Sequence, residues 1–125
     1  MDRGNFPPAP TGFSAAGGDF RGRRLSLDSL IKTNPASTFF LRAEEESSLG
    51  GCIHPGDILV VDRAAEITNG CLVVAVTDGE MTLRQVVRRQ GRSYLYSDPS
   101  RAKPGPHSEV QIWGKVVYVL HPVAP

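Results

Sequence analysis

Asp78-Gly79 stands between two runs of β-forming residues, "CLVVAVT" (71–77) and "EMTLRQVVRR" (80–89). A two-residue Asp-Gly link suits the tight turn whose backbone twist matches two antiparallel strands, because both of its positions take positive φ. The rest of the chain repeats that logic. "STFFLRA" (37–43), "DILVVD" (57–62), "SYLYS" (93–97) and "VQIWGKVVYVLH" (110–121) are further strand-like runs. They are parted by Pro55-Gly56, Asn69-Gly70, Gln90-Gly91 and a polar, Pro-rich loop over 97–109. "DILVVD" is nearly all apolar, as expected of a strand buried on both faces. Gly114 inside the last run marks a bulge or bend. Thirteen Gly and ten Pro among 125 residues favour this turn-rich reading over a helical bundle. The expected fold is a small, highly twisted, mainly β domain.

One short helix is expected before the strands. In "RLSLDSLIKTNP" (24–35), Leu27, Leu30 and Ile31 share a helical face, Ser26 can cap it and Asn34-Pro35 stops it. Residues 1–23 are rich in Pro, Gly, Ala, Ser and Arg and read as a flexible N-terminal arm, leaving 24–125 as the β domain. Apolar residues at 40% suffice for one core. Fourteen Lys+Arg against thirteen Asp+Glu give a net charge of +1, with no strong pull toward nucleic acid. No apolar run is long enough to span a membrane, and "MDRGNFPPAP" has no apolar signal region. Cys52 and Cys71 fit no disulfide framework or metal-ligand spacing and read as reduced thiols in a cytoplasmic protein.

Little chemistry follows from the residues alone. His54, His107 and His121 stand apart, none near another His, Cys or acid at metal spacing, so no metal site and no cofactor are expected. No Gly-rich phosphate loop precedes a helix. "RGRR" (21–24) reads as part of a solvated arm, and "RQVVRRQGR" (84–92) as a solvated edge. "AEEESSLGGC" (43–52) reads as a charged loop, since a serine nucleophile needs a base within hydrogen-bond reach and spacing alone shows none.

The order and spacing of several segments resemble the LexA/UmuD family of self-cleaving Ser-Lys peptidases, and the UmuD branch in particular. "DFRGRRLSLDSLIKTNPASTFFLRA" (19–43) is similar to that family's segment leading into its first strand. "CIHPGDILVVDR" (52–63), "NGCLVVAVTDGEMTLRQV" (69–86) and "VQIWGKVVYVLH" (110–121) resemble its later strands. The match runs from about Gly12 to His121. It implies the C-terminal-type β domain of that family, preceded by a short helix and an arm that is the substrate of self-cleavage.

The resemblance also assigns a register. The family's nucleophilic serine lies ten residues before the Asp of its Gly-Asp-Leu segment, which places Ser47 at that position and Glu45-Glu46 where the family has Gly-Asp. The family's general-base lysine corresponds to Arg84 in "TLR" (82–84). Arginine stays charged, so it cannot accept the serine proton near neutral pH. The backbone amides of Glu46 and Ser47 would form the oxyanion hole. A side chain at Glu45 would be strained if the turn demands positive φ there. The three acids would oppose a developing oxyanion. The aligned cleavage bond is Thr11-Gly12, where a β-branched residue replaces the family's Cys or Ala.

The implied function is that of a UmuD-like accessory subunit of an error-prone translesion DNA polymerase in the SOS DNA-damage response, impaired in self-cleavage. The implied partners are a second copy in a homodimer, a Y-family (UmuC-like) polymerase and the RecA filament, with no membrane and no direct sequence-specific binding of nucleic acid. The alternative is an active serine peptidase that uses Ser47 with a non-lysine base, His54 or a neighbouring acid, and cuts near Thr11-Gly12. A LexA-type repressor is disfavoured because no helix-turn-helix pattern precedes the β domain.

Overall fold

The computed structural model describes residue 31, residues 34–97 and residues 110–124. Ile31 is helical. The arm, the rest of the expected helix, the Thr11-Gly12 bond, "RGRR" and His107 lie outside the described residues.

Six antiparallel strands form one open sheet: β1 (Thr38–Arg42), β2 (Ile58–Asp62), β3 (Leu72–Thr77), β4 (Glu80–Arg89), β5 (Arg92–Ser97) and β6 (Val110–Leu120). Their spatial order is β1-β2-β6-β3-β4-β5, so the last strand lies between the second and third. The mainly β expectation holds. Asp78 (φ 50°) and Gly79 (φ 79°) join β3 to β4, and Gln90 (φ 51°) and Gly91 (φ 76°) join β4 to β5. Both are two-residue links with positive φ throughout, the turn chemistry that Asp-Gly and Gln-Gly supply.

The apolar runs are continuous because the central strands bury both faces. On one face Leu59, Val61, Val74 and the loop residue Ile53 form a core, with Leu41, Leu72, Leu83, Val116 and Val119 packed against it. Val60, Val73, Ala75 and Val86 alternate onto the other face and are also buried. Each fully buried valine, leucine or isoleucine among them contributes about 1.5–3 kcal/mol relative to exposure.

Strand β6 adapts to both neighbours through two irregularities. Its register against β3 shifts between Ile112 and Gly114, and against β2 between Val116 and Tyr118. The expected irregularity at Gly114 therefore falls at its neighbour Trp113. Gly114 itself serves close approach, since a Cβ there would lie 2.6 Å from Val61 Cγ1. Around the bulge, Phe39 meets Trp113 with ring centroids 5.2 Å apart. The Arg63 guanidinium stacks 4.6 Å over the same indole and its Nε donates to the Trp113 carbonyl at 2.8 Å.

Strand β4 is an interior strand, paired with β3 and β5. The expected solvated edge is therefore corrected for Arg84, which is half-buried, while Arg88, Arg89 and Arg92 are exposed. Arg88 is held in place, donating to the Ile67 carbonyl at 2.8 Å and to Ser93 Oγ at 3.3 Å.

Candidate active site

Between β1 and β2 the chain makes an excursion over residues 44–55. Its base is closed by Ala43 N–H donating to the Asp57 carbonyl and Gly56 N–H donating to the Ala43 carbonyl, both at 2.8 Å. Further out, Ser47 and Ile53 form an antiparallel bridge, with Ser47 N–H donating at 2.9 Å and Ile53 N–H at 2.8 Å. Leu49 and Ile53 are buried and anchor the excursion to the core. The anchoring explains why so polar a stretch holds a defined conformation.

The tip is a short 3-10 turn, Leu49–Gly51. Positive φ falls on Gly50 (68°), Gly51 (79°) and Cys52 (88°). Glu45 is not among the residues with positive φ. The expected strain at Glu45 is thus corrected: the left-handed positions lie beyond the serine, where two are glycine and only Cys52 carries a side chain.

Ser47 is half-buried, and its Oγ accepts a hydrogen bond from Leu49 N–H at 3.1 Å. Its backbone N–H, one of the two donors assigned to an oxyanion hole, is the one that reaches the Ile53 carbonyl. Glu44, Glu45 and Glu46 are exposed beside it.

The 3-10 turn packs against β4, the strand that carries Arg84. A Cβ on Gly50 would lie 2.8 Å from Leu72 Cδ2, so the tip also rests on β3. The fold therefore brings the serine excursion and the arginine strand together. Arg84 pairs with Val73 on one side and Ser97 on the other. Its neighbour Leu83 packs on the Ile53 core, so alternation turns Arg84 to the opposite side of β4 with Val86. Its Nε is buried and has no hydrogen-bond partner among the described residues.

His54, the alternative base, follows Ile53 but is directed elsewhere. Its ring centroid lies 5.1 Å from that of His121, and its Nδ1 lies 3.9 Å from Asp57 Oδ2. His121 Nδ1 is 2.6 Å from Asp57 Oδ1, and His54 N–H donates to Asp57 Oδ2 at 3.0 Å. The His54 backbone N–H, followed by the His121 ring, holds the Asp57 carboxyl below its ordinary pKa, with burial opposing. Two of the three histidines thus meet around one buried carboxylate, which corrects the reading of the histidines as scattered. Sequence spacing hid this cluster, because His54 and Asp57 lie more than sixty positions from His121. The pairing Ile58↔Leu120 brings them together, since one further step places Asp57 opposite His121.

Comparison with known proteins is consistent over most of the chain. Residues 10–117 match the family described as peptidase S24-like. Protein SamA of Salmonella typhimurium is 34% identical over 112 residues, covering 90% of this chain and 79% of that protein. Protein ImpA of Escherichia coli is 35% identical over 111 residues, covering 88% and 77%. Protein MucA of Escherichia coli is 32% identical over 123 residues, covering 90% and 80%.

Proposed function

The chain belongs to the peptidase S24-like family, and from that premise we propose that it is a UmuD-like accessory subunit of a translesion DNA polymerase in the SOS response, with its self-cleavage impaired. Arg84 carries this reading. The resemblance assigns it the family's general-base position, and the serine excursion packs against its strand. A peptidase of this kind needs a neutral amine to take the serine proton, and burial can lower a lysine pKa far enough to supply one. A guanidinium holds its proton throughout the accessible pH range.

Two further features support the same reading. The Ser47 amide is committed to the Ile53 carbonyl, so it would have to leave that bond to serve an oxyanion. Glu44, Glu45 and Glu46 place negative charge beside the site where negative charge would develop. The alternative with His54 as base loses its support, because His54 faces Asp57 and His121.

A chain without self-cleavage would act through its surfaces. In this reading it forms a homodimer, docks on a Y-family polymerase and meets the RecA filament without first being trimmed. Co-purification of the intact chain with the Y-family polymerase of the same cell tests this. The expected result is a stable complex containing uncut chain. Failure of the intact chain to bind, with binding by a chain truncated to start at Gly12, would overturn it.

A further inference from the structure

The His54, Asp57 and His121 cluster has no part in serine chemistry. We propose that these three residues form a binding site for a divalent transition-metal ion of the zinc type. One ligand atom from each residue lies within 4.8 Å of the other two. Two imidazoles and a carboxylate are a donor set that suits zinc and leaves a fourth position open.

The backbone fixes most of this geometry before any ion arrives. The ladder between β2 and β6 ends at Ile58↔Leu120, and the next step sets Asp57 opposite His121. The turn His54–Asp57, closed by Asp57 N–H donating to the His54 carbonyl at 3.0 Å, returns His54 to the same place. Pro55-Gly56 makes that turn, and Gly56 takes φ 95°. The ligands are therefore held by a sheet and a turn, the rigid supports that a preorganised site needs.

Neighbouring ligands of a tetrahedral zinc ion lie roughly 3.3 Å apart, given metal–ligand bonds of about 2.0–2.2 Å. The His121 Nδ1 to Asp57 Oδ1 separation of 2.6 Å is shorter than that, and His54 Nδ1 to Asp57 Oδ2 at 3.9 Å is longer. Entry of an ion would open the first and close the second, which small rotations of the two rings accomplish. Both side chains are about half exposed, 50% for His54 and 54% for His121, so the rings can turn and an ion has a path from solvent. Asp57 is buried and supplies the fixed negative charge. Binding would clip the start of β2 to the end of β6 and stabilise the fold by linkage.

The test is titration of zinc chloride into the tag-free full chain, read by calorimetry and by thermal unfolding. One equivalent should bind and raise the melting temperature. His54→Ala and His121→Ala should each weaken binding at least tenfold, and both residues are exposed, so circular dichroism should show each variant folded. His107→Ala, Cys52→Ser and Cys71→Ser should bind as the parent does. No zinc uptake by the parent would overturn the proposal. So would parental affinity in folded His54→Ala and His121→Ala, or loss of affinity confined to the His107 or cysteine variants.

Discussion

Ser47 and Ile53 bind each other's backbone twice, at 2.9 and 2.8 Å, and so enclose the loop 48–52. The bridge holds the serine against the core through Ile53, which is fully buried. It also makes the loop's own conformation a condition of the serine's position.

Gly50 combines φ 68° with a Cβ position only 2.8 Å from Leu72 Cδ2. Gly50→Ala should therefore destabilise by about 1–3 kcal/mol, from left-handed backbone strain together with crowding. Cys52 is the opposite case, a side chain at φ 88° and ψ 99°. Cys52→Gly relieves that strain and should stabilise by about 1 kcal/mol. Urea unfolding of the two variants should move the midpoint in opposite directions.

Gly114 is buried with a normal φ, so conformational freedom is not its reason for being glycine. A methyl group there would meet Val61 Cγ1 at 2.6 Å and the Arg63 Cγ at 3.3 Å. Overpacking of this kind costs about 1–3 kcal/mol. Gly114→Ala should lower the melting temperature. Adding Val61→Ala should recover part of that loss relative to Val61→Ala alone, a coupling read from a double-mutant cycle.

Asp62 gives a pH signature. Its Oδ1 accepts hydrogen bonds from Ala64 N–H and from the Ser37 hydroxyl, both at 2.8 Å. The Ala64 amide, then the Ser37 hydroxyl, hold its pKa below the ordinary aspartate value, against burial. A depressed pKa stabilises the fold in full above the unfolded value, near about 4, and loses that contribution as pH falls through the folded value. The melting-temperature gap between the parent and Asp62→Asn should be present at neutral pH. It should close progressively as the pH is lowered below about 4.

Arg84→Lys returns a titratable amine to β4. The positive φ that a glycine would have to supply at Glu45 is not required. The missing base is then one deficit among several, because alternation turns residue 84 away from the Ile53 side that anchors the serine loop and the Ser47 amide is bonded to Ile53. Arg84→Lys alone should therefore release no fragment at alkaline pH, where the amine is neutral, and a fragment that Ser47→Ala abolishes would show instead that residue 84 reaches the serine. Gel or mass analysis over time decides the outcome.

The strands were legible from the sequence, and the chemistry mostly was not. "EMTLRQVVRR" is β4 to the residue, and "DILVVD" contains β2 with one residue to spare. Both were readable because turn residues and apolar runs act locally. The placement of β6 between β2 and β3 is a long-range choice that no local pattern encodes, and the His54, Asp57 and His121 cluster depends on it. The same distance effect misplaced Arg84, whose half-burial comes from β5 pairing outside β4. Within the serine loop, the resemblance supplied the register of Ser47. It did not show that the left-handed residues are Gly50, Gly51 and Cys52, because that depends on how Leu49 and Ile53 anchor the tip.

Impaired self-cleavage is the central claim, and intact-mass measurement tests it most directly. The purified 13.5 kDa chain is incubated with RecA, single-stranded DNA and nucleotide, and separately at alkaline pH. A single unchanged mass in both conditions is the predicted result. A fragment beginning at Gly12 that disappears in the Ser47→Ala variant would contradict it.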